Sequence, residues 1–461
     1  MTEPIMALLS WLNEWFFSPI SALVLLFAGI ILSVKLKFFQ FSNPAKLFRL
    51  MCEKKNGDGN SPFRALTLAL AGTLGVGNIS GVALALAYGG AGAIFWMWVS
   101  AACAMIVKYS EIVLAVYHRD VKNGEIHGGA MYYIKKGVKK HGAASLLASG
   151  FAVFCLFSSL STGSIIQVNA VSEAFSGCFN MPPFIVGIIM AALTAIAVFG
   201  SNAKKISDIT VKLVPFMSLI YIALSMFVIM SNASSLPQIL HTIVEDAFRA
   251  DSAIGGIGGF IFSSSIRYGV TRGLFSNEAG CGTSTIAHAS ANTSSPSSQG
   301  VWGIFEVFVD TVLLCTITAF VLLINYGGSV PAEGGGVMVT LYAFGSSLGA
   351  FAKDILAFSV FLFAYATVIC WAYYGCECIH FLHDSKIAKN VYLSIFTLSV
   401  IYGAVAPSSF IWTVADSCIC IMMTVNTVCV CLMSDTVLKL SKDKISAKSK
   451  KRTALSLSHR N

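Results

Sequence analysis

Eleven apolar runs, each close to the length needed to cross a hydrocarbon layer, constrain this chain more than any other feature of its sequence. A spanning helix needs about 20 consecutive mostly apolar residues, because in lipid every backbone N–H and C=O must be satisfied within the segment. Spans zero to five fall at Trp15–Val34, Ala65–Leu86, Gly92–Val116, Ala144–Ala174, Pro182–Phe199 and Ile206–Met230. Spans six to ten fall at Gly258–Ala291, which is interrupted, Trp302–Ile324, Phe351–Tyr374, Asn390–Val405 and Ile411–Cys431. Charged residues make up 11% of the chain, against about 25% in soluble domains. The expected class is an all-α integral membrane protein whose first partner is the lipid bilayer.

The net charge of +9 does not point to nucleic acid, because the basic residues fall in alternate connections between spans. Lys35, Lys37, Lys46, Arg49, Lys54, Lys55 and Arg64 precede span one, and Arg119, Lys122, Lys135, Lys136, Lys139 and Lys140 follow span two. Lys204, Lys205, Lys386, Lys389 and a basic tail from Lys439 to Arg460 continue the pattern, whereas the connections at 88–91, 176–181 and 406–408 carry no charge. The positive-inside rule then sets the amino terminus outside, the carboxyl terminus inside, and the protein in the cell membrane. No cleavable secretory leader is read from the first apolar segment. The C-x-C pairs Cys376/Cys378, Cys418/Cys420 and Cys429/Cys431 lie in or beside apolar helices without the further ligands a zinc site needs, and read as packing residues.

Span zero stands apart, followed by a basic linker. The expected units are 1–34 (extra amino-terminal helix), 35–64 (linker), 65–231 and 232–433 (two groups of five spans) and 434–461 (tail). An odd number of spans per group forces the second group to enter the membrane in the opposite sense, an inverted repeat. Each group opens on an interrupted helix. Span one carries Gly72, Gly75, Gly77 and Gly81 around Asn78, and span six carries Gly269, Gly273, Gly280 and Gly282 around Asn277 and Glu278. Interior glycines weaken a helix by about 0.5 to 1 kcal/mol each. Glycine-broken helices in corresponding repeat positions point to a binding site at the membrane midplane. Gly255, Gly256, Gly258 and Gly259 read instead as close-packing residues.

An unwound helix presents amides at the positive start of its second half, here Gly75 and Gly77, which suit a carboxylate. Carbonyls at the end of its first half suit a cation or an ammonium group, so an amino-acid zwitterion fits both. Gln167 has a donor and an acceptor to offer a ligand, and Asn169 is split between ligand and helix-to-helix bonding. Thr367 and Trp371, one turn apart, offer a hydroxyl for a hard cation and an indole to wall a pocket. Among intramembrane carboxylates, Glu278 is divided between ligand contact and an ion pair with Arg272, and Asp310 and Asp416 lean to structural hydrogen bonding. Glu306 also needs a partner, and Lys108 with Glu111 reads as an ordinary helix pair near the inner surface.

Several contiguous motifs resemble those of the sodium:alanine (alanine or glycine:cation) symporter family: GVGNISGVA from Gly75, GGAGAIFWMW from Gly89, KYSE from Lys108, GGAMYYIKKG from Gly128 and GVTRGLFSNEAGCGTSTIAHA from Gly269. FVDT from Phe308 and LFAYATVICWAYYG from Leu362 extend the resemblance over nearly the whole chain. It implies a LeuT-like five-plus-five inverted repeat with an extra leading helix, and sodium-coupled uptake of a small neutral amino acid by alternating access. It also implies substrate contacts at Gly75, Gly77, Asn78, Gln167, Phe275 and Trp371. Sodium, the coupling ion, would be held by the carbonyls of Ala71, Leu74 and Phe363 and the Thr367 hydroxyl. The chain departs from the family pattern at Val76 for Thr, Val168 for Ala and Ala366 for Ser. With one hydroxyl fewer and several buried carboxylates, a proton-coupled carrier is the alternative. A channel would need polar rings or filter loops, and an enzyme would need a catalytic motif such as H-E-x-x-H or G-x-S-x-G.

Overall fold

A computed structural model describes residues 2–51, 60–122, 124–139, 141–248, 264–332 and 336–446. The four glycines at 255–259, the first residues of expected span six, Lys54, Lys55, Lys140 and the tail beyond Ser446 lie outside the described residues. Eight helices among the described residues are long and apolar enough to cross a membrane, and the bent pair Pro62–Thr73 and Val76–Gly89 makes a ninth. The other two expected positions are held by the 16-residue helix Pro183–Val198, span four, and by span six as Ser264–Asn277 and Ser284–Ala289. The remaining spans, all but the last, run longer than their apolar runs. They are Ala7–Lys35, Gly92–His118, Gly142–Phe179, Ala203–Ser231, Pro296–Tyr326, Ala350–Leu382, Lys386–Val405 and Trp412–Leu432.

Helices five positions apart pack on one another: one on six, two on seven, three on eight and four on nine. The first half of span six lies on the second half of span one, and the second half of six on the first half of one. The two broken helices therefore run antiparallel, as an inverted repeat requires. Close approach in the second pair depends on Gly300 and Gly303 of span seven, where an added Cβ would fall 2.8 Å from Tyr109 Cδ2 and 2.3 Å from Ile112 Cδ1.

The two breaks differ in mechanism. In span one the helix stops at Thr73, Leu74 takes φ −77° and ψ 71°, Gly75 is extended, and Val76–Asn78 forms one 3₁₀ turn before Ser80 restarts the helix at 61° to the first half. In span six, Glu278, Gly280 and Gly282 all have positive φ, which interrupts the helix between the two half-helices. Glycine accepts this conformation without strain, and Glu278 is the one residue there that does not. Spans three and seven carry π-helical turns at Ser161–Ile165 and Phe308–Cys315, beside the breaks.

Several elements in the connections were not anticipated from apolar run length. Helices Leu236–Ala247 and Gly336–Leu348 connect spans five to six and seven to eight, and a hairpin with strands β1, Asp120–Lys122, and β2, Glu125–His127, follows span two. Arg119, just before the hairpin, donates to the carbonyls of Ala289, Ala291 and Thr293. It thereby satisfies acceptors left orphaned where span six ends.

Candidate functional site

Around the break in span one, Gly75 sits between spans three and eight. A Cβ added to it would lie 2.8 Å from Gln167 Oε1 and 2.9 Å from Thr367 Oγ1. Gln167 is already committed: Val76 N–H donates to its Oε1 at 3.1 Å, and its Nε2 donates to Thr162 O at 3.0 Å, in the π turn of span three. The Gly75 amide donates to Thr73 O at 2.9 Å. Thr367 Oγ1 stands 2.9 Å from Ala71 O and 3.0 Å from Phe363 O. A hydroxyl has a single proton for two carbonyls, so the group presents more acceptor capacity than it consumes. These three neutral oxygens suit a hard cation. The torsion at Leu74 turns its carbonyl off the helix axis.

Gly77 faces the other way, with Phe275 Cδ1 the nearest atom to an added Cβ, at 3.7 Å. Phe275 packs against Trp412 with ring centroids 5.2 Å apart and planes tilted by 43°. Trp371 is fully buried, donates from Nε1 to Gly72 O at 3.3 Å, and packs on Gly163. Asn78 points away from Gln167 toward span seven. Its Nδ2 donates to Asp310 Oδ1 at 2.7 Å and lies 3.0 Å from Ser276 Oγ and 3.1 Å from Asp310 O. The structure thus gathers Gly75, Gln167, Thr367, Ala71 and Phe363 on one side of the break, and Gly77, Phe275 and Asn78 on the other.

Several polar side chains have partners different from those read in the sequence. Arg272 pairs with Asp416 at 3.5 Å, over the rings of Phe275 and Trp412, and not with Glu278. Glu278 accepts from Thr283. Lys108 and Glu111 are fully buried and not a surface pair: Lys108 Nζ donates to Ser284 Oγ at 2.8 Å and lies 3.4 Å from Glu306, while Glu111 accepts from Asn426. Glu306 also meets His288 Nε2 at 2.9 Å. Asn169 bonds Gly403 O and Ala406 O, a helix-to-helix tie between spans three and nine. Asp310 has the expected hydrogen bonds, from Asn78, Ser276 and Thr311. Sequence reading missed Ser276, Thr162 and Gly163. The last two lie on the Gln167 helix one turn away, the periodicity that would have found them.

A cavity of about 540 Å³ opens on the side of the basic connections, lined by hairpin, span five and span eight residues, and reaches Ala372 and Tyr373 just beyond Trp371. His127 of β2 reaches across to Glu377 of span eight, 3.0 Å apart, and stacks on His380 at 3.9 Å. The Glu377 carboxylate that shares its proton pushes the His127 imidazole up from its ordinary pKa, against the opposing effect of burial.

A family model described as the sodium:alanine symporter family matches residues 2–456. The chain belongs to the sodium:alanine symporter family. Among its relatives, a sodium/alanine symporter of Methanococcus maripaludis is 35% identical over 443 residues, covering 95% of this chain and 96% of that protein. An amino-acid carrier protein of Bacillus subtilis is 36% identical over 423 residues, 91% of this chain and 88% of that one. A probable sodium/glutamine symporter of the same bacterium is 34% identical over 434 residues, with 94% and 89% covered. Among solved structures, a Na+-coupled sialic acid symporter aligns with a TM-score of 0.50 at 13% identity over 93% of this chain and 87% of that one. That likeness concerns the fold alone, and agrees with the LeuT-like architecture expected of this sodium:alanine symporter family member. The chain is therefore a multi-pass membrane transporter.

Proposed function

We propose that the chain takes up alanine, glycine or a similarly small neutral amino acid together with sodium, by alternating access across the cytoplasmic membrane. The observation that carries this reading is the meeting of Thr367 Oγ1 with Ala71 O and Phe363 O at 2.9 and 3.0 Å, beside Gly75 in the unwound segment. Sodium held by these oxygens and by Leu74 O would tie span one to span eight and fix the unwound segment. Gly75, Gly77, Asn78, Gln167, Phe275 and Trp371 would receive the amino acid. An added methyl at Gly77 already stands in contact with Phe275, which favours small side chains. Because binding linkage is reciprocal, sodium raises affinity for the amino acid and the amino acid raises affinity for sodium.

The two groups 65–231 and 232–433 serve as the inverted repeats in this scheme, with the amino terminus outside and the basic connections in the cytoplasm. The 540 Å³ cavity would then be the route of release to the cell interior. The test is uptake of labelled alanine into proteoliposomes. Uptake should follow an imposed sodium gradient, and Thr367→Ala should raise the sodium concentration needed for half-maximal uptake more than it lowers the maximum. Uptake that ignores sodium and follows a pH gradient would return the proton-coupled alternative.

A further inference from the structure

Span zero, Ala7–Lys35, runs into a turn made by two consecutive residues with left-handed torsions, Lys37 at φ 56° and Phe38 at φ 53°. Such torsions are uncommon for residues other than glycine. The turn is closed by Phe38 N–H donating to Ser33 O at 2.7 Å, Lys37 N–H to Val34 O at 3.1 Å and Gln40 Nε2 to Ser33 Oγ at 2.6 Å. It sends Phe39 inward, where the buried ring packs on Tyr109 of span two at 5.1 Å and lies 5.3 Å from the Lys46 ammonium. Phe38 and Phe41 are left outside, 54% and 62% exposed. Helix Pro44–Met51 follows and lies on span seven, with Met51 buried and Leu47 and Leu50 against the core. At about 100° per residue, Phe48 lies one step around the helix from Leu47 and Arg49 a further step. Phe48 is 66% exposed, and Arg49 is exposed as well. The helix thus shows the protein one side, an apolar edge at Phe48, and a basic side beyond it.

Three large aromatic side chains held outward on a segment fixed this firmly call for an apolar neighbour. Lipid supplies one without a break. Phe27, Ile30, Ile31 and Val34, all exposed, follow one side of span zero down to the turn. Charge then selects among lipids. The stretch Lys35–Met51 contains Lys35, Lys37, Lys46 and Arg49 and neither Asp nor Glu. Lys35 is paired with Asp435 at 3.1 Å, whereas Lys37 and Arg49 are exposed and have no ion pair among the described residues. We propose that residues 37–49 are a docking surface for anionic phospholipids of the leaflet on the side of the basic connections. Phe38, Phe41 and Phe48 enter the boundary between headgroups and acyl chains, and Lys37 and Arg49 meet headgroup phosphates. Because Phe39 and Leu47 face the protein from the same segment, a docked surface also keeps the linker pressed on spans two and seven.

The test is hydrogen exchange of the full-length protein in lipid nanodiscs, one set of phosphatidylcholine alone and one of phosphatidylcholine mixed with phosphatidylglycerol. A Lys or Arg beside a strongly anionic surface is worth about fivefold in binding, the equivalent of about 1 kcal/mol. Amides of residues 39–51 are therefore expected to exchange about tenfold or more slowly in the anionic discs, with the spans unchanged, and high salt should remove most of the difference. Lys37→Gln combined with Arg49→Gln should abolish the difference between the two discs. Phe41→Ser combined with Phe48→Ser should quicken exchange of the same amides in both. Equal exchange of the unaltered chain in the two discs overturns the proposal, whatever the variants do. Protection restored in neutral discs by inorganic phosphate would assign the basic residues to a soluble anion, and protection seen only in discs holding two copies of the chain would make the occupant a second protomer. Either result overturns it too.

Discussion

Gly75 and Gln167 share the space a methyl group would need: a Cβ on Gly75 would stand 2.8 Å from Gln167 Oε1. A flexible glutamine could normally yield, but this one is held at both ends, by Val76 N–H and by Thr162 O. Moving it leaves a buried amide unsatisfied, at about 1–3 kcal/mol. Gly77, two residues on, has 3.7 Å to its nearest neighbour. Gly75→Ala is therefore expected to abolish alanine uptake, whereas Gly77→Ala should yield a folded protein that favours glycine over alanine. Competition of the two amino acids for labelled uptake checks the contrast.

Gly163 stands against the tryptophan proposed to wall the substrate pocket. A Cβ there would meet Trp371 Cβ at 2.3 Å and Cγ at 2.4 Å, inside a ring environment with no exposed surface. The indole must shift, and its bond to Gly72 O is broken. Gly163→Ala should lower stability by about 1–3 kcal/mol through overpacking. The emission of Trp371, isolated by replacing other tryptophans, should change as the ring moves. An unaltered melting temperature and spectrum would contradict this packing.

The His127 contact to Glu377 ties the hairpin to span eight across the cavity. Glu377 raises the imidazole's folded pKa above its unfolded value. A raised histidine pKa contributes stability that is full below the unfolded value and is lost as pH rises through the folded one. The hairpin should accordingly be held more firmly in mildly acidic than in alkaline solution. Hydrogen exchange of β1 and β2 should quicken as pH rises, beyond its intrinsic pH dependence, and His127→Gln should remove that excess.

Spans were legible because apolar length is a local property, and both breaks were legible because glycine and buried polar residues occur together in few other settings. Helices Leu236–Ala247 and Gly336–Leu348 escaped notice because they are too short to cross a membrane and leave no length signal. Ion-pair partners were the least legible. Arg272 has Glu278 close in sequence, but its carboxylate is 144 residues away, on span ten. Six residues at about 100° each set Glu278 roughly 240° around the same helix from Arg272, on a different face. Helical spacing suggested Glu111 for Lys108, but Gly303 lets span seven approach so closely that Glu306 reaches the ammonium first.

That last pair supports a prediction about stability. Lys108 and Glu306 are both completely buried, and Glu111 and Glu278 also lie within electrostatic reach of the ammonium. Lys108→Met would leave Glu306 with His288 alone and two further carboxylates uncompensated. Removing one member of a buried pair typically costs about 3–5 kcal/mol, whereas replacing both with well-packed neutral groups is often close to neutral. His288 remains to hold a neutral amide at position 306, and Ser284 needs only a modest shift. The double variant Lys108→Met with Glu306→Gln should thus be more stable than Lys108→Met alone. A double-mutant cycle on thermal unfolding in detergent measures the coupling, and strict additivity of the two substitutions would show that the two groups do not act as a pair.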